Sequence, residues 1–287
     1  MQLAEPRAAT QKFTIGLLRG AAGALIFGIP MLMTMELWFL GFSMPRERLL
    51  LLLLVNIPLL VLLAHRIGFE RTSTLREAVR DATIAYGLGI VTSAAVLALL
   101  GILTLDMPAN EWLGKVALQS VPASIGAMLG RSQLGGRNDD YNEEGEEDDV
   151  EKDDELATGY FGELFMMGVG ALFLSLNVAP TEEIILISYK MTPWHSLAAI
   201  LVSIALMHGF VYAVAFRGTH QLDERTPNWH ALVRFTLPGY VVTSLISLYV
   251  LWTFGRLDDT GWTQVMMSTV VLNFPGAVGA ASARLVL

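Results

Sequence analysis

Residues 15–41 read IGLLRGAAGALIFGIPMLMTMELWFLG, an apolar run whose only charges are Arg19 and Glu36. It is long enough to cross a hydrocarbon core of about 30 Å as a helix. Residues 160–189 read YFGELFMMGVGALFLSLNVAPTEEIILISY and echo it. At an offset of 147, Gly23-Ala24-Leu25 meets Gly170-Ala171-Leu172, and Thr34-Met35-Glu36 meets Thr181-Glu182-Glu183.

The register runs on without a gap, so that Leu54-Val55-Asn56-Ile57-Pro58-Leu59 meets Leu201-Val202-Ser203-Ile204-Ala205-Leu206. Val91-Thr92-Ser93 then matches Val242-Thr243-Ser244 at offset 151, and Pro122 to Ala127 matches Pro275 to Ala280 at offset 153. Ordered matches with slowly drifting offsets point to a tandem duplication. Each copy carries an even number of spans, so both share one orientation. Their symmetry axis would lie along the membrane normal, not in its plane.

Hydrophobic residues make up 53% of the 287, charged residues 16%, and the mean hydropathy is +0.51. A soluble domain is nearer a quarter charged. The apolar residues gather into eight expected spans: 15–41, 49–65, 82–104, 111–130, 160–189, 194–215, 232–254 and 262–285. Backbone groups in lipid must satisfy one another, so such runs are helices. The first is not read as a signal peptide, because it is too long and holds Arg19. The fold class is therefore an all-α integral membrane protein, two tandem four-helix repeats with the first helix of each broken at proline. Residues 1–131 form the first repeat, 132–158 a disordered cytoplasmic linker, and 159–287 the second repeat.

With the N-terminus inside, 14 of the 19 Lys and Arg residues fall on the cytoplasmic side. Arg46, Arg48, Lys115, Lys190 and Arg256 fall outside. This bias places both termini in the cytoplasm. Trp38, Trp112, Trp194, Trp252 and Trp262 line the expected outer interface, where an indole is half wet.

The net charge of −8 is the sum of −10 in the linker, which carries twelve acids and two bases, and +2 in the rest of the chain. The body gives no nucleic-acid signal. Within the linker, Asp140, Asn142, Glu144, Asp148 and Glu151 fall at the ligand places of a calcium loop of the EF-hand type, with Gly145 at the sixth place. So acidic a run meets that template readily by chance, and a self-repelling solvated segment is the plainer reading.

Glu36 and Glu183 are the sharpest functional signal. A carboxylate within a span costs about 2.5–3.5 kcal/mol on insertion scales and by default marks a functional site. Each follows a helix breaker, Gly28-Ile29-Pro30 in one repeat and Asn177-Val178-Ala179-Pro180 in the other. Interrupted segments at corresponding places of two halves point to a transport site. Thr34 and Thr181 are placed to cap new half-helices. The backbone near Pro30 and Pro180 is expected to offer carbonyls, and Glu182 is an extra acid in the second repeat only. Converging carboxylates would suit a hard cation or a shared proton. The alternative is that each Glu lies in the outer headgroup region and is simply wet. His208 lies inside the sixth span, as a proton relay or a hydrogen-bonded packing residue. Pro122, Pro275 and the glycines around them read first as close-packing positions.

There is no cysteine, nucleophile elbow, phosphate loop, dinucleotide fingerprint or paired-histidine motif. Neither an enzyme nor a cofactor is expected. The Gly-Ile-Pro…Thr-Met-Glu-Leu-Trp stretch, the Ala-Pro-Thr-Glu-Glu stretch and the acidic linker resemble an uncharacterised family of bacterial integral membrane proteins, over nearly the whole chain. That resemblance implies the bacterial inner membrane and brings no activity. The Pro-Thr-Glu-Glu stretch is also similar to a step in the inverted repeats of sodium/calcium exchangers, a likeness that carries little because the repeats here are not inverted.

The expectation is a channel or carrier for a cation or protons, with Glu36, Glu183, Glu182, Thr34, Thr181, Pro30, Pro180, Asn177 and His208 along the pathway. Its partners are the lipid bilayer and the ion, and self-association is compatible with the sequence. The competing expectation is a scaffold or sensor whose acidic linker binds a partner or calcium.

Overall fold

The computed structural model describes residues 5–67, 74–134, 152–213 and 232–286. Among them every element is helical. The chain divides into two compact units, Met1–Gly145 and Glu146–Leu287. The first holds α1 (Glu5–Leu32), α2 (Met35–Ser43), α3 (Arg46–Ile67), α4 (Leu75–Leu99) and α5 (Ala109–Leu134). The second holds α6 (Lys152–Val178), α7 (Glu183–Lys190), α8 (Pro193–Ala213), a π-helical turn (Leu232–Thr236) that leads into α9 (Leu237–Thr253), and α10 (Trp262–Val286). A long helix, a short one and three longer ones thus follow in the same order in each unit.

The first and fifth spans are each broken near their proline, as expected: α1 stops at Leu32 and α6 at Val178, and the remainder forms α2 and α7. Pro30 lies inside α1, with the break two residues later, whereas Pro180 lies in the turn itself. One sequence expectation is corrected: six described helices are long and apolar enough to cross a membrane, where eight spans were expected. They are Thr14–Leu32, Arg46–His65, Leu75–Leu99, Gly159–Val178, Leu232–Thr253 and Trp262–Ala283. The apolar part of α8, Pro193–Gly209, is shorter. The helix α5 is long, but Glu111, Lys115, Gln119, Ser120 and Ser124 lower its apolarity.

Packing explains that composition. In the first unit α5 touches α1, α2, α3 and α4. Every residue from Leu118 to Gly130 is buried. A helix shielded by its neighbours need not present an apolar surface to lipid. The last helix of the second unit, α10, likewise touches α6, α7, α8 and α9.

Close approach depends on glycine at matching points. A Cβ placed on Gly130 of α5 would lie 2.7 Å from the Cα of Gly23 on α1, and one on Gly126 would lie 2.6 Å from the Phe27 Cβ. In the second unit a Cβ on Gly170 of α6 would lie 2.7 Å from the Ala283 Cβ, and one on Gly279 of α10 would lie 2.9 Å from the Gly170 carbonyl carbon. Such backbone-on-backbone seams are how helices associate where lipid removes the hydrophobic drive.

Gly126→Ala and Gly279→Ala should each lower the thermal midpoint in detergent, by about 1–3 kcal/mol of overpacking. At Gly87 a Cβ would meet nothing within 4 Å. Gly87→Ala should therefore hold or raise the midpoint through helix propensity. Equal midpoints for all three variants would sink the close-approach account.

Candidate functional site

A helix that stops inside a bundle leaves its last four carbonyls without helical partners. All four at the end of α1 are satisfied. Ile29 O accepts from the Met33 amide at 3.0 Å, and Pro30 O from the Thr34 hydroxyl at 2.7 Å. Met31 O accepts from the Thr34 amide at 3.0 Å and from Gln119 Nε2 at 3.1 Å. Leu32 O accepts from the Trp38 indole at 2.7 Å. Gln119 is fully buried on α5, so the central helix itself seals the break.

The break between α6 and α7 is closed with different chemistry. Val178 O accepts from both the amide and the hydroxyl of Thr181, at 3.1 and 2.8 Å. Pro180 O accepts from the guanidinium of Arg256, which reaches in from the turn between α9 and α10. Asn177 turns its amide back onto Phe173 O of its own helix at 2.9 Å.

The expected capping is therefore corrected. Thr34 stands at the N-cap of α2, but its hydroxyl is spent on Pro30 O and makes no cap bond. Thr181 is not the cap of α7, since Glu182 holds that place, and its hydroxyl bonds backward to Val178 O. A hydroxyl one turn from an orphan carbonyl in a dry bundle satisfies the carbonyl first. Of the break carbonyls that the sequence offered to a cation, Pro30 O and Pro180 O already carry donors.

What remains open are the acids. Glu36 lies in the first turn of α2 and is half-buried. Glu183 opens α7 and is exposed, as is Glu182 at its cap. The structure pairs none of the three with another described residue. The positive end of a helix favours a carboxylate in its first turn. Glu36 belongs to the first unit, and Glu182 and Glu183 to the second. His208 on α8 meets the buried Thr236 hydroxyl at 3.0 Å, joining α8 to the π-helical turn. Asp140, Asn142, Glu144, Asp148 and Glu151 lie outside the described residues. Among the described residues no group of three or more His, Asp or Glu side chains gathers as a metal site.

Each short helix lies against the central helix of its unit. On α7, Ser188 accepts from Gln264 and, at 3.0 Å, from Ser268 of α10. On α2, Gly41 lies against the backbone of Lys115, and its carbonyl accepts from Arg46 at 3.0 Å. Lys115 is buried, with Glu111 at 2.6 Å and the Phe42 ring 5.4 Å beneath it.

Sequence reading missed Gln119 and Arg256, which look ordinary until the break carbonyls are counted. It also left Asp81 at the edge of a span. Asp81 is 1% exposed on α4, with Arg80 Nε at 3.2 Å from its carboxylate. Four charged residues at the start of α4 hid a buried one.

Residues 16–287 match the model of the family described as "Putative integral membrane protein (DUF2391)", and the chain belongs to that family. No curated protein and no solved structure matches it.

Arg256→Met should leave Pro180 O without its donor and destabilise the second unit by about 1–3 kcal/mol. The measurement is the detergent melting midpoint together with amide exchange at residues 179–183, which should speed up. Exchange as slow as in the wild type would show that Arg256 does not hold the break.

Proposed function

Starting from that membership, we propose that this integral membrane protein moves protons across the bilayer, with Glu36 and Glu183 as equivalent proton-binding stations, one in each unit. The observation that carries the reading is the recurrence of one device. A long apolar helix ends, its loose carbonyls are tied off, and an acid without a partner opens the short helix that follows. Insertion cost argues that a carboxylate so placed is kept for use.

The chemistry favours a proton over a metal cation. A hard cation of the calcium type takes six or more oxygen ligands. The last four carbonyls of α1, and Val178 O and Pro180 O at the second break, already accept hydrogen bonds. A proton needs only the carboxylate. Glu182 is a secondary acid without a counterpart at Met35. His208, bonded to Thr236, serves as a relay.

The duplication of one ancestral unit is supported by the glycine pairs. Gly23 with Gly126, and Gly170 with Gly279, meet within their own units at positions the sequence offsets had matched. The Lys and Arg bias supports an orientation with both termini in the cytoplasm, and we place the protein in the bacterial inner membrane. No enzymatic role is assigned.

Purified protein in liposomes loaded with a pH-sensitive dye tests the reading. Wild type should dissipate an imposed proton gradient. Glu36→Gln and Glu183→Gln should each slow it by about tenfold or more, a barrier change of about 1.4 kcal/mol. Glu182→Gln should have a smaller effect. Undiminished flux in both of the first two variants would rule out the stations.

A further inference from the structure

Beside the turn that joins α9 to α10 lies an apolar groove of about 580 Å³. That is within the range of small-ligand sites, about 300–1,000 Å³. Leu245, Leu248, Tyr249 and Trp252 of α9 line one wall at helical spacing, and Trp262 and Val265 of α10 the other. The groove is open along its length, since Leu245 is 61% exposed and Trp262 84%. Trp252 and Trp262 stand at adjoining ends of two helices that are long and apolar enough to cross a membrane. Indoles at such ends settle at the level of the lipid headgroups. Leu245 lies seven residues deeper on α9, about 10 Å along its axis. The groove therefore begins at the interface and runs down into hydrocarbon.

The turn at its mouth is fixed by its own hydrogen bonds. The Arg256 amide donates to Leu251 O at 2.9 Å, the Thr260 hydroxyl donates to Leu257 O at 2.7 Å, and the Arg256 guanidinium is drawn away to Pro180 O. Leu257 and Thr260 close the groove from this side, while Asp258 and Asp259 between them are exposed. Asp259 is held with φ at 55°. The rim is thus acidic and the trough below it apolar. Acids at the level of the headgroups attract an ammonium and repel an anion, the reverse of the basic patches that hold acidic lipids. A second copy of the chain fits less well. A symmetric pairing presents the same patch from both copies, and would set the two acidic turns against each other.

We propose that this groove binds one phospholipid with an ammonium headgroup. An acyl chain lies along Leu245 and Leu248, the ester region is level with Trp252 and Trp262, and the ammonium faces Asp259. The pairing of an apolar trough at hydrocarbon depth with an acidic rim at headgroup level carries the assignment. It stands apart from the proton reading and does not rest on it.

The test is native mass spectrometry of the full chain in a mild detergent, with phospholipids of equal chain length added back. Their headgroups are ethanolamine, which carries an ammonium, and glycerol, which leaves a net negative charge. Wild type should retain one ethanolamine lipid in preference to the glycerol lipid. Leu248→Trp and Val265→Trp, one on each wall, obstruct the groove and should each lower retention about fivefold or more, as expected for blocking the centre of a site. Asp259→Asn suits the left-handed backbone and, being at the surface, leaves the packing alone. It should still retain a lipid, with the ethanolamine preference narrowed by about three- to fivefold, the scale of an exposed ion pair. Retention as high in both Trp variants as in the wild type would overturn the groove as the site. An unchanged preference in Asp259→Asn would overturn the headgroup assignment. A wild-type dimer that both Trp variants split, with the lipid count unchanged, would give the groove to a second copy and overturn the proposal.

Discussion

A peptide carbonyl in hydrocarbon must find a donor, and each interruption of a long helix here is shaped by that requirement. The two breaks meet it with different residues. At the end of α1 the donors are neutral and come from the central helix and from α2, through Gln119 and Trp38. At the end of α6 the outside donor is a guanidinium from the turn before the central helix. Beyond each break an acid, Glu36 or Glu183, stands in the first turn of the short helix that follows.

The central helices give the breaks something to close against. The seams at Gly23, Gly126 and Gly130, and at Gly170 and Gly279, bring backbones together without side chains between them. The short helices then dock, α2 through Gly41 against the Lys115 backbone and the Phe42 ring under the Lys115 ammonium, α7 through the hydrogen bonds of Ser188 with Gln264 and Ser268. Within each unit the docking fixes where the first turn of the short helix, and so Glu36 or Glu183, stands on its own bundle.

Much of this was legible in the sequence, and the rest had identifiable reasons for being hidden. Apolar runs located the long helices, because lipid-facing residues must be apolar along their whole length. The same signal misjudged α5, whose neighbours replace lipid around it. The offsets of 147 and 153 singled out the glycines that now prove to meet in pairs, but a one-dimensional match says nothing of which helix faces which. Proline marked the neighbourhood of each break without fixing its place, since Pro30 stays helical and Pro180 does not. Gln119 and Arg256 were invisible because their meaning lies in partners that are distant in sequence.

The polarity of α5 also bears on how the protein is made. A segment holding Glu111, Lys115, Gln119 and three serines gains little by leaving the translocation channel for lipid on its own. It is, however, the last helix of its unit to be synthesised. When it emerges, α1 to α4 have already been made, and the glycines at 126 and 130 meet a waiting surface at Gly23. Chain order thus sets the polar helix after the four that shelter it.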